Sequence, residues 1–447
     1  MKSPVARLAL AAALALSTAG LPAAPQLQQS MPATLDLKTA IGFALENNFT
    51  IRQARERIRQ QSGVEIQVRA REIPNVSASG NYTANRQEIS SYFPTTPSSW
   101  TISLQARQVL YAGGGVTASV KGARLTREAA ELELEGIINQ QLLAVRSQFY
   151  TVLLGKEKIT VQEENVRLLE KQLQDAQNRF NAGSTSNFDV LRAQVALANG
   201  QPPLIQARND YRISIEQLRQ VLGFVTAASG ADVAKVPEFS GSLAVGEAAK
   251  VELADALGAA HAKRPELQQL ARIEQAGEQN VKASRSGYQP EFDLVGGYLW
   301  LRSPSSAAWN DRLQGWTAGV QAQWNIFDGR ATAGRVVQAR SQLEQARLSL
   351  AETTLAVDVQ VRQAYSSLVE AWELVQASTK TVDQAQEALR LANVRYGAGT
   401  ATQLDVLTSE VALTQARLNE LQADYGYNVA VATLRQAMGQ ADEFVTS

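Results

Sequence analysis

The sequence predicts a mainly α-helical chain with a small transmembrane β part, built as two tandem structural repeats that supply four β-strands and long coiled-coil helices. Three observations carry this. Landmarks recur at a constant offset of 216 residues, so that RFNAGSTSNFDVL at 179–191 is written again as RYGAGTATQLDVL at 395–407. Stretches of strict polar and apolar alternation stand between helical stretches, and the runs 113–182 and 329–398 contain no proline.

The offset holds without net insertion. Pro74 matches Pro290, Gly80 matches Gly296, Tyr82 matches Tyr298, Trp100 matches Trp316 and Gly113 matches Gly329. Val145 pairs with Val361, Phe149 with Tyr365, and LRQVLG at 218–223 with LRQAMG at 434–439. Repeats that keep step over this span occupy equivalent places in one object. The expected divisions are repeat one at 35–223, a connector at 224–250, repeat two at 251–439 and a tail at 440–447.

At the start, Lys2 and Arg7 precede an apolar run from 8 to 16 and small residues up to Pro25. That is the layout of a secretory signal peptide over 1–25, with a flexible segment at 26–34. Without Lys2 and Arg7, the 43 basic residues of the 447-residue chain fall to 41 against 43 acids. Such a balance implies no nucleic-acid-binding surface and no polybasic membrane patch. Cysteine is absent, which excludes disulfides, Cys-based metal sites and a lipid anchor on an N-terminal Cys. No later run of 18 apolar residues occurs, so no transmembrane helix is expected, while a β-barrel remains open.

Residues 35–71 read as helix, broken near Asn47 and Asn48 and closed by Pro74. From 76 to 110 the period becomes two. Val76, Ala78, Gly80 and Tyr82 alternate with Ser77, Ser79, Asn81 and Thr83, and Trp100, Ile102 and Leu104 alternate with Thr101, Ser103 and Gln105. Between these strands lies a loop with Tyr92, Phe93, Pro94 and Pro97. The hairpin at 291–327 repeats the design, with Phe292, Leu294, Tyr298 and Trp300 on one face and then Trp316, Val320, Trp324 and Ile326.

A soluble sandwich and a membrane barrel both use alternating strands. Strands of about ten residues suit a tilted membrane crossing. Trp100, Trp300, Trp316 and Trp324, together with Trp309, lie in or beside the hairpins as an interfacial girdle requires. Four strands are few for a sandwich and cannot close a barrel, and an open edge in lipid leaves backbone groups unsatisfied. The balance favours a barrel shared between copies, in which three chains give about twelve strands around a wet lumen.

Each proline-free run reads as one helix about 100 Å long. Its near-heptad stripe, Val145, Phe149, Val152, Ile159 and Val166 in the first repeat, implies packing against other long helices. Tip turns follow at 181–186 and 397–402. In each, a glycine suited to the left-handed conformation (Gly183, Gly399) precedes a Ser or Thr cap and then an acid, Asp189 or Asp405. The return helices run to Gly223 and Gly439, and Pro202 with Pro203 is expected to break or kink the first of them. The connector is expected on the outside of the shaft.

Little points to covalent chemistry. His261 is the sole histidine and reads as an exposed helix residue, and Gly113 to Gly115 lack the Lys of a phosphate loop and read as a strand-to-helix joint. No enzyme and no cofactor is expected. Asp189 and Asp405 cap helices, and if symmetry gathers the turns about an axis they also form a ring of negative charge.

With the repeat, the hairpins and the motif Y/F-x-x-G-x-x-x-x-x-D-V-L at 180–191 and 396–407, the chain resembles the TolC-like family of outer-membrane efflux proteins. The resemblance implies a homotrimer with a 12-stranded barrel in outer-membrane lipid, continuous with an α-helical barrel across the periplasm. It implies an exit channel for small toxic molecules, served by a periplasmic adaptor and an inner-membrane pump. Gly183, Ser184, Thr185, Gly399, Thr400 and Ala401 would be the tips that meet the adaptor. Asp405 would belong to an acidic ring, and Tyr396 and Asp189 to the network that holds the entrance shut. Ala401 and Thr408 depart from the arginine and second acid that some relatives carry. Two other readings remain: a type I protein secretion channel, and a periplasmic coiled-coil scaffold without a pore.

Overall fold

The computed structural model describes residues 33–84, 98–224, 236–302, 309–440 and 444. The expected leader, most of the flexible segment, the loop with Tyr92 to Pro97, part of the connector and most of the tail lie outside these residues. In order, the elements are β1 (Thr34–Leu35), α1 (Leu37–Asn47), α2 (Phe49–Arg69), β2 (Asn75–Ala84), β3 (Ser98–Ala112), α3 (Gly115–Asn181) and α4 (Asn187–Leu222). The second half gives β4 (Glu238–Phe239), α5 (Leu253–Lys263), α6 (Pro265–Arg285), β5 (Glu291–Arg302), β6 (Arg312–Gln323), α7 (Ala331–Gly397) and α8 (Gln403–Ala437). Short 3-10 turns at Ala70–Glu72 and Ser286–Tyr288 lead into β2 and β5.

The expected break before α2 is made by Asn48. Its side-chain oxygen accepts the amides of Thr50 and Ile51, and its Nδ2 donates to the Val221 carbonyl at 2.7 Å. The cap therefore also fastens α2 to the end of α4. Gly223 ends α4 at φ +77, where a Cβ would come within 2.5 Å of the Asn47 carbonyl oxygen. Gly439, at φ +66, plays the same part in the second repeat, where a Cβ would come within 2.9 Å of the Lys263 carbonyl oxygen.

Strands β2-β3-β5-β6 form one antiparallel sheet in that order. Its register gathers all four apolar alternates on one face. Gly80 pairs with Ile102, Ile102 with Trp300, Tyr298 with Leu104 and with Trp316, and Leu294 with Val320. The other face carries the polar alternates, with Val295, Leu299 and Leu301 among them: Ser79 and Ser103 share a 2.8 Å hydrogen bond, and Arg107 donates twice to Asp293 Oδ2, at 2.6 and 3.0 Å. A bulge at Leu110 lets Tyr111, rather than Leu110, reach Phe292.

Four expectations need correction. The chain holds six strands rather than four among the described residues, because β1 pairs in parallel with β4. β6 stops at Gln323, so Trp324 lies beyond the strand and its Nε1 donates to the Tyr288 carbonyl at 3.1 Å, at the helix end of the sheet. Pro202 and Pro203 do not interrupt α4, which is continuous from Asn187 to Leu222. Packing overrides local preference there: Val190, Ala193, Ala207 and Ile215 bury α4 on both sides of the prolines, and Gly200 lies so close to α3 that a Cβ would meet Leu169 at 2.7 Å. Finally, the described part of the connector, 236–250, does not lie wholly on the outside. Phe239 and Leu243 are buried with Leu142, Val145, Phe149 and Val152 of α3 and Leu218 and Leu222 of α4.

α3 and α7 are 67 residues each, about 100 Å of helix. The core faces of the two repeats match at the predicted offset, Val145 of α3 with Val361 of α7 and Leu218 of α4 with Leu434 of α8, all nearly or fully buried. One cluster sits around Phe149 and its counterpart around Val361. Smaller clusters around Val190 and Val406 continue toward the tips.

Candidate functional site: the tip turns

Each tip is built by the same local chemistry. α3 ends as Gly183 takes φ +74; the Gly183 amide donates to the Phe180 carbonyl and the Ser184 amide to the Arg179 carbonyl, both at 2.9 Å. α7 ends alike, with Gly399 at φ +71, its amide on Tyr396 at 3.1 Å and the Thr400 amide on Arg395 at 2.9 Å. The hydroxyls of Ser184 and Thr400 donate to the same two arginine carbonyls. Six-to-one and five-to-two bonds of this kind satisfy the last carbonyls of a helix and need the left-handed glycine.

The return helices start with capping boxes. Asp405 Oδ2 accepts the Thr402 amide at 2.7 Å and the Thr402 hydroxyl at 2.8 Å, and the Asp405 amide donates back to Thr402 Oγ1. Asp189 Oδ2 accepts the Ser186 amide at 3.3 Å, the Ser186 hydroxyl at 2.9 Å and the Thr185 hydroxyl at 2.6 Å. The third bond has no counterpart in repeat two, where Ala401 replaces Thr185. The hydroxyls of Thr185 and then Ser186 hold the Asp189 carboxyl below the usual range, and the Thr402 amide and then hydroxyl do the same for Asp405. Both acids are anionic wherever ordinary carboxylates are, and Asp405 is the more exposed of the two.

The predicted residues fall into two groups. Gly183, Ser184, Thr185 and Asp189 sit together on one tip, and Gly399, Thr400, Ala401 and Asp405 on the other. Tyr396 and Asp189 have separate partners within the chain, because the Arg179 guanidinium lies 4.4 Å from the centre of the Tyr396 ring. This contact joins the repeats just above the tips. Further up, Gln172 donates to Glu410 at 3.1 Å, Thr414 to Asn165 at 3.1 Å and Arg417 to Glu164 at 2.6 Å.

The seam between α3 and α8 is thus polar toward the tips, unlike the apolar seams inside each repeat, while higher up Leu421 and Tyr425 of α8 pack on the Phe149 cluster. Glu410 is 2 % exposed and Gln403 is 3 % exposed. Glu410 Oε2 and both side-chain polar atoms of Gln403 lack a hydrogen-bond partner, and burial pushes the Glu410 carboxyl up. Arg179, Gln403 and Glu410 are site residues beyond those expected from the sequence. Their signal was present: Arg179 recurs as Arg395, and Gln403, Glu410 and Arg417 recur every seven residues, as core positions of a coiled coil do.

At the other end of the long helices, Trp100, Trp300 and Trp316 lie on the apolar sheet face, and Trp316 is 75 % exposed. His261 Nε2 lies 2.6 Å from Asp358 Oδ1 on α7.

The chain matches the family described as outer membrane efflux protein over residues 40–224 and 256–440. It is 26% identical over 440 residues to the cobalt-zinc-cadmium resistance protein CzcC of Cupriavidus metallidurans, covering 96% of each chain. It is 27% identical over 307 residues to the alkaline protease secretion protein AprF of Pseudomonas aeruginosa, covering 68% of this chain and 63% of that relative. Among solved structures, a crystal structure of CusC superposes with a TM-score of 0.77 at 18% identity, covering 94% of this chain and 98% of that one.

Proposed function

Since the chain belongs to the outer membrane efflux protein family, and so to a class of outer-membrane channels rather than enzymes, we propose that it is the passive exit duct of a tripartite efflux system. Three copies close the sheet into a 12-stranded barrel in outer-membrane lipid and line up their long helices across the periplasm. The tip turns around Gly183 to Thr185 and Gly399 to Ala401 meet a periplasmic adaptor, which docks to an inner-membrane pump. Asp405, with Asp189, gives the entrance its negative charge. Trp100, Trp300 and Trp316 sit at the lipid boundary, and Trp324 sits at the opposite rim.

The observation that carries this reading is the sheet. One face carries the run of Tyr82, Ile102, Leu104, Tyr298, Trp300, Trp316 and Val320, the other carries Ser79, Ser103, Arg107, Asp293 and Gln321, and the outer edges of β2 and β6 have no partner strand among the described residues. Lipid tolerates no open edge, so the sheet is complete only when copies close it. Cargo is assigned as small toxic molecules, in line with the metal-resistance relative CzcC. Protein secretion, suggested by the name of AprF, is the second reading.

Purified protein in detergent is expected to be a trimer that forms channels in planar bilayers. A monomer stable without detergent and absent from the membrane fraction would leave the pore-free scaffold instead. A deletion strain newly sensitive to metals or drugs supports efflux, whereas unchanged sensitivity with loss of a secreted protein supports secretion.

A further inference from the structure

The apolar face of the sheet carries charge at one end only. Along β5, Tyr298 and Trp300 lead to Arg302, and along β6, Trp316 and Gln314 lead back to Arg312, which stands directly opposite Arg302. No other charged side chain lies on this face of β2, β3, β5 and β6 among the described residues. Like charges directly opposite each other on one face destabilise a sheet, and arginine facing lipid costs more the deeper it lies. The pair therefore calls for both a position at the lipid boundary and an anion.

The strand supplies the position. At ~3.3 Å per residue and a tilt of ~40°, β5 climbs about 25 Å between Phe292 and Arg302, the height of the apolar band of a membrane barrel. The hydrocarbon thus ends where the arginines begin. They lie at the hairpin-loop end, away from the long periplasmic helices, so this boundary is that of the outer leaflet.

Arg302 is fixed in place by its own chain. Its Nη1 donates to the Ser98 carbonyl and to the Ser98 hydroxyl, both at 2.7 Å, and its guanidinium lies 5.3 Å from the centre of the Trp309 ring. Trp309 is braced in turn by Tyr82, edge to face with ring centres 6.1 Å apart. Arg302 is 6 % exposed and acts as a set charge beside its neighbour. Arg312 is different: it is exposed, and its side chain makes no hydrogen bond or ion pair among the described residues. Asp311, the adjacent acid, precedes β6 and forms no ion pair with either arginine.

We infer that Arg302 and Arg312 form a headgroup site for an outer-leaflet lipid that bears a phosphate monoester, with its acyl chains running down the face past Trp300 and Trp316. Charge selects this class. A phosphate monoester carries about −1.5 to −2 charges at pH 7, which two guanidiniums match, whereas a phosphodiester headgroup with its own ammonium is nearly neutral. Shape agrees, because the planar fork of Arg312 suits two phosphate oxygens at once and sheds its water more readily than an ammonium. Bound phosphate also offsets the repulsion between the two arginines. The inference rests on the membrane-barrel reading above and names one lipid that the barrel holds.

Lipid A, which carries phosphate monoesters, is the probe, titrated into the delipidated protein in detergent. The comparisons are the same lipid after phosphatase treatment and phosphatidylethanolamine. Wild type is expected to bind lipid A on the order of tenfold more tightly than either, with the preference shrinking as salt rises. Arg312→Gln is expected to lose the preference and Arg312→Lys to keep part of it, while both conduct in planar bilayers as wild type does. Equal binding of phosphorylated and dephosphorylated lipid by wild type, or an unchanged preference in Arg312→Gln, overturns the site. Inorganic phosphate that displaces lipid A at equal concentration shows a site for soluble anions and overturns the lipid. A melting temperature that Arg312→Gln lowers by the same amount with and without lipid A gives the arginine a protein partner and overturns it as well. A monomer absent from the membrane fraction refutes the barrel itself, whereas a conducting channel indifferent to the phosphate refutes only the headgroup site.

Discussion

Glu410→Gln tests how the polar seam between the repeats is held. The carboxyl is 2 % exposed, with Oε1 accepting from Gln172 at 3.1 Å and Oε2 unpartnered. Burial raises its pKa, and the Gln172 bond only partly opposes that. The neutral acid therefore packs better than the carboxylate. The sign follows: the seam has its full stability below the ordinary carboxylate pKa and loses it as pH rises through the raised folded value. Glutamine keeps the Oε1 acceptor and cannot ionise. Glutamine leaves an equally unpartnered Nε2 in place of Oε2, so only the charge is removed; holding the ionised rather than the neutral group there costs on the order of 1–3 kcal/mol, so Glu410→Gln should gain about that much at pH 8 and nothing at pH 4. Thermal unfolding of the detergent-solubilised protein from pH 4 to 8, with hydrogen exchange over residues 403–413, reads both limbs. An equal difference between variant and wild type at both ends of that range would refute ionisation as the cause.

Asp405→Asn retains an oxygen for the Thr402 amide and hydroxyl, whereas Asp405→Ala does not; both should weaken cation preference in bilayers, and only alanine should loosen the tip by hydrogen exchange. Because the cap bonds depress the Asp405 pKa, wild-type selectivity should stay flat with falling pH until below the usual carboxylate range. Asp424 on α8 is raised to about 6 by burial and by Glu420 one turn away; stability should fall as pH rises through about 6, and Asp424→Asn should flatten that slope in a melting series. Gly113 has φ +59, and a Cβ would lie 2.5 Å from the Gln289 Cβ; Gly113→Ala should destabilise by about 1–3 kcal/mol, and Gly114→Ala, which has open space, by less, as measured by thermal unfolding.

Much of this architecture was legible because its signals are local. Alternation of period two placed Val76 to Tyr82 and Trp100 to Leu104 on strands, since successive side chains point to opposite faces. The tip turns were readable because a left-handed glycine and an acid three residues after a Ser or Thr satisfy helix ends wherever they occur. The site was less legible. Arg179 and Tyr396 are distant in sequence, and Glu410 resembles any surface glutamate until its heptad position is set against α3.

The sequence by itself determined the tandem plan, the two faces of the sheet, the long helices and the capped tips, because each depends on residues within a few positions of one another or on repetition at a fixed offset. Only the tertiary structure decided that α4 runs through Pro202 and Pro203, that Phe239 and Leu243 enter the core, and that Trp324 lies past the end of β6. These are set by what another segment provides: close packing on α3 holds α4 across the prolines, the Phe149 cluster takes up the connector, and β6 ends where its own chain offers no further strand to pair with.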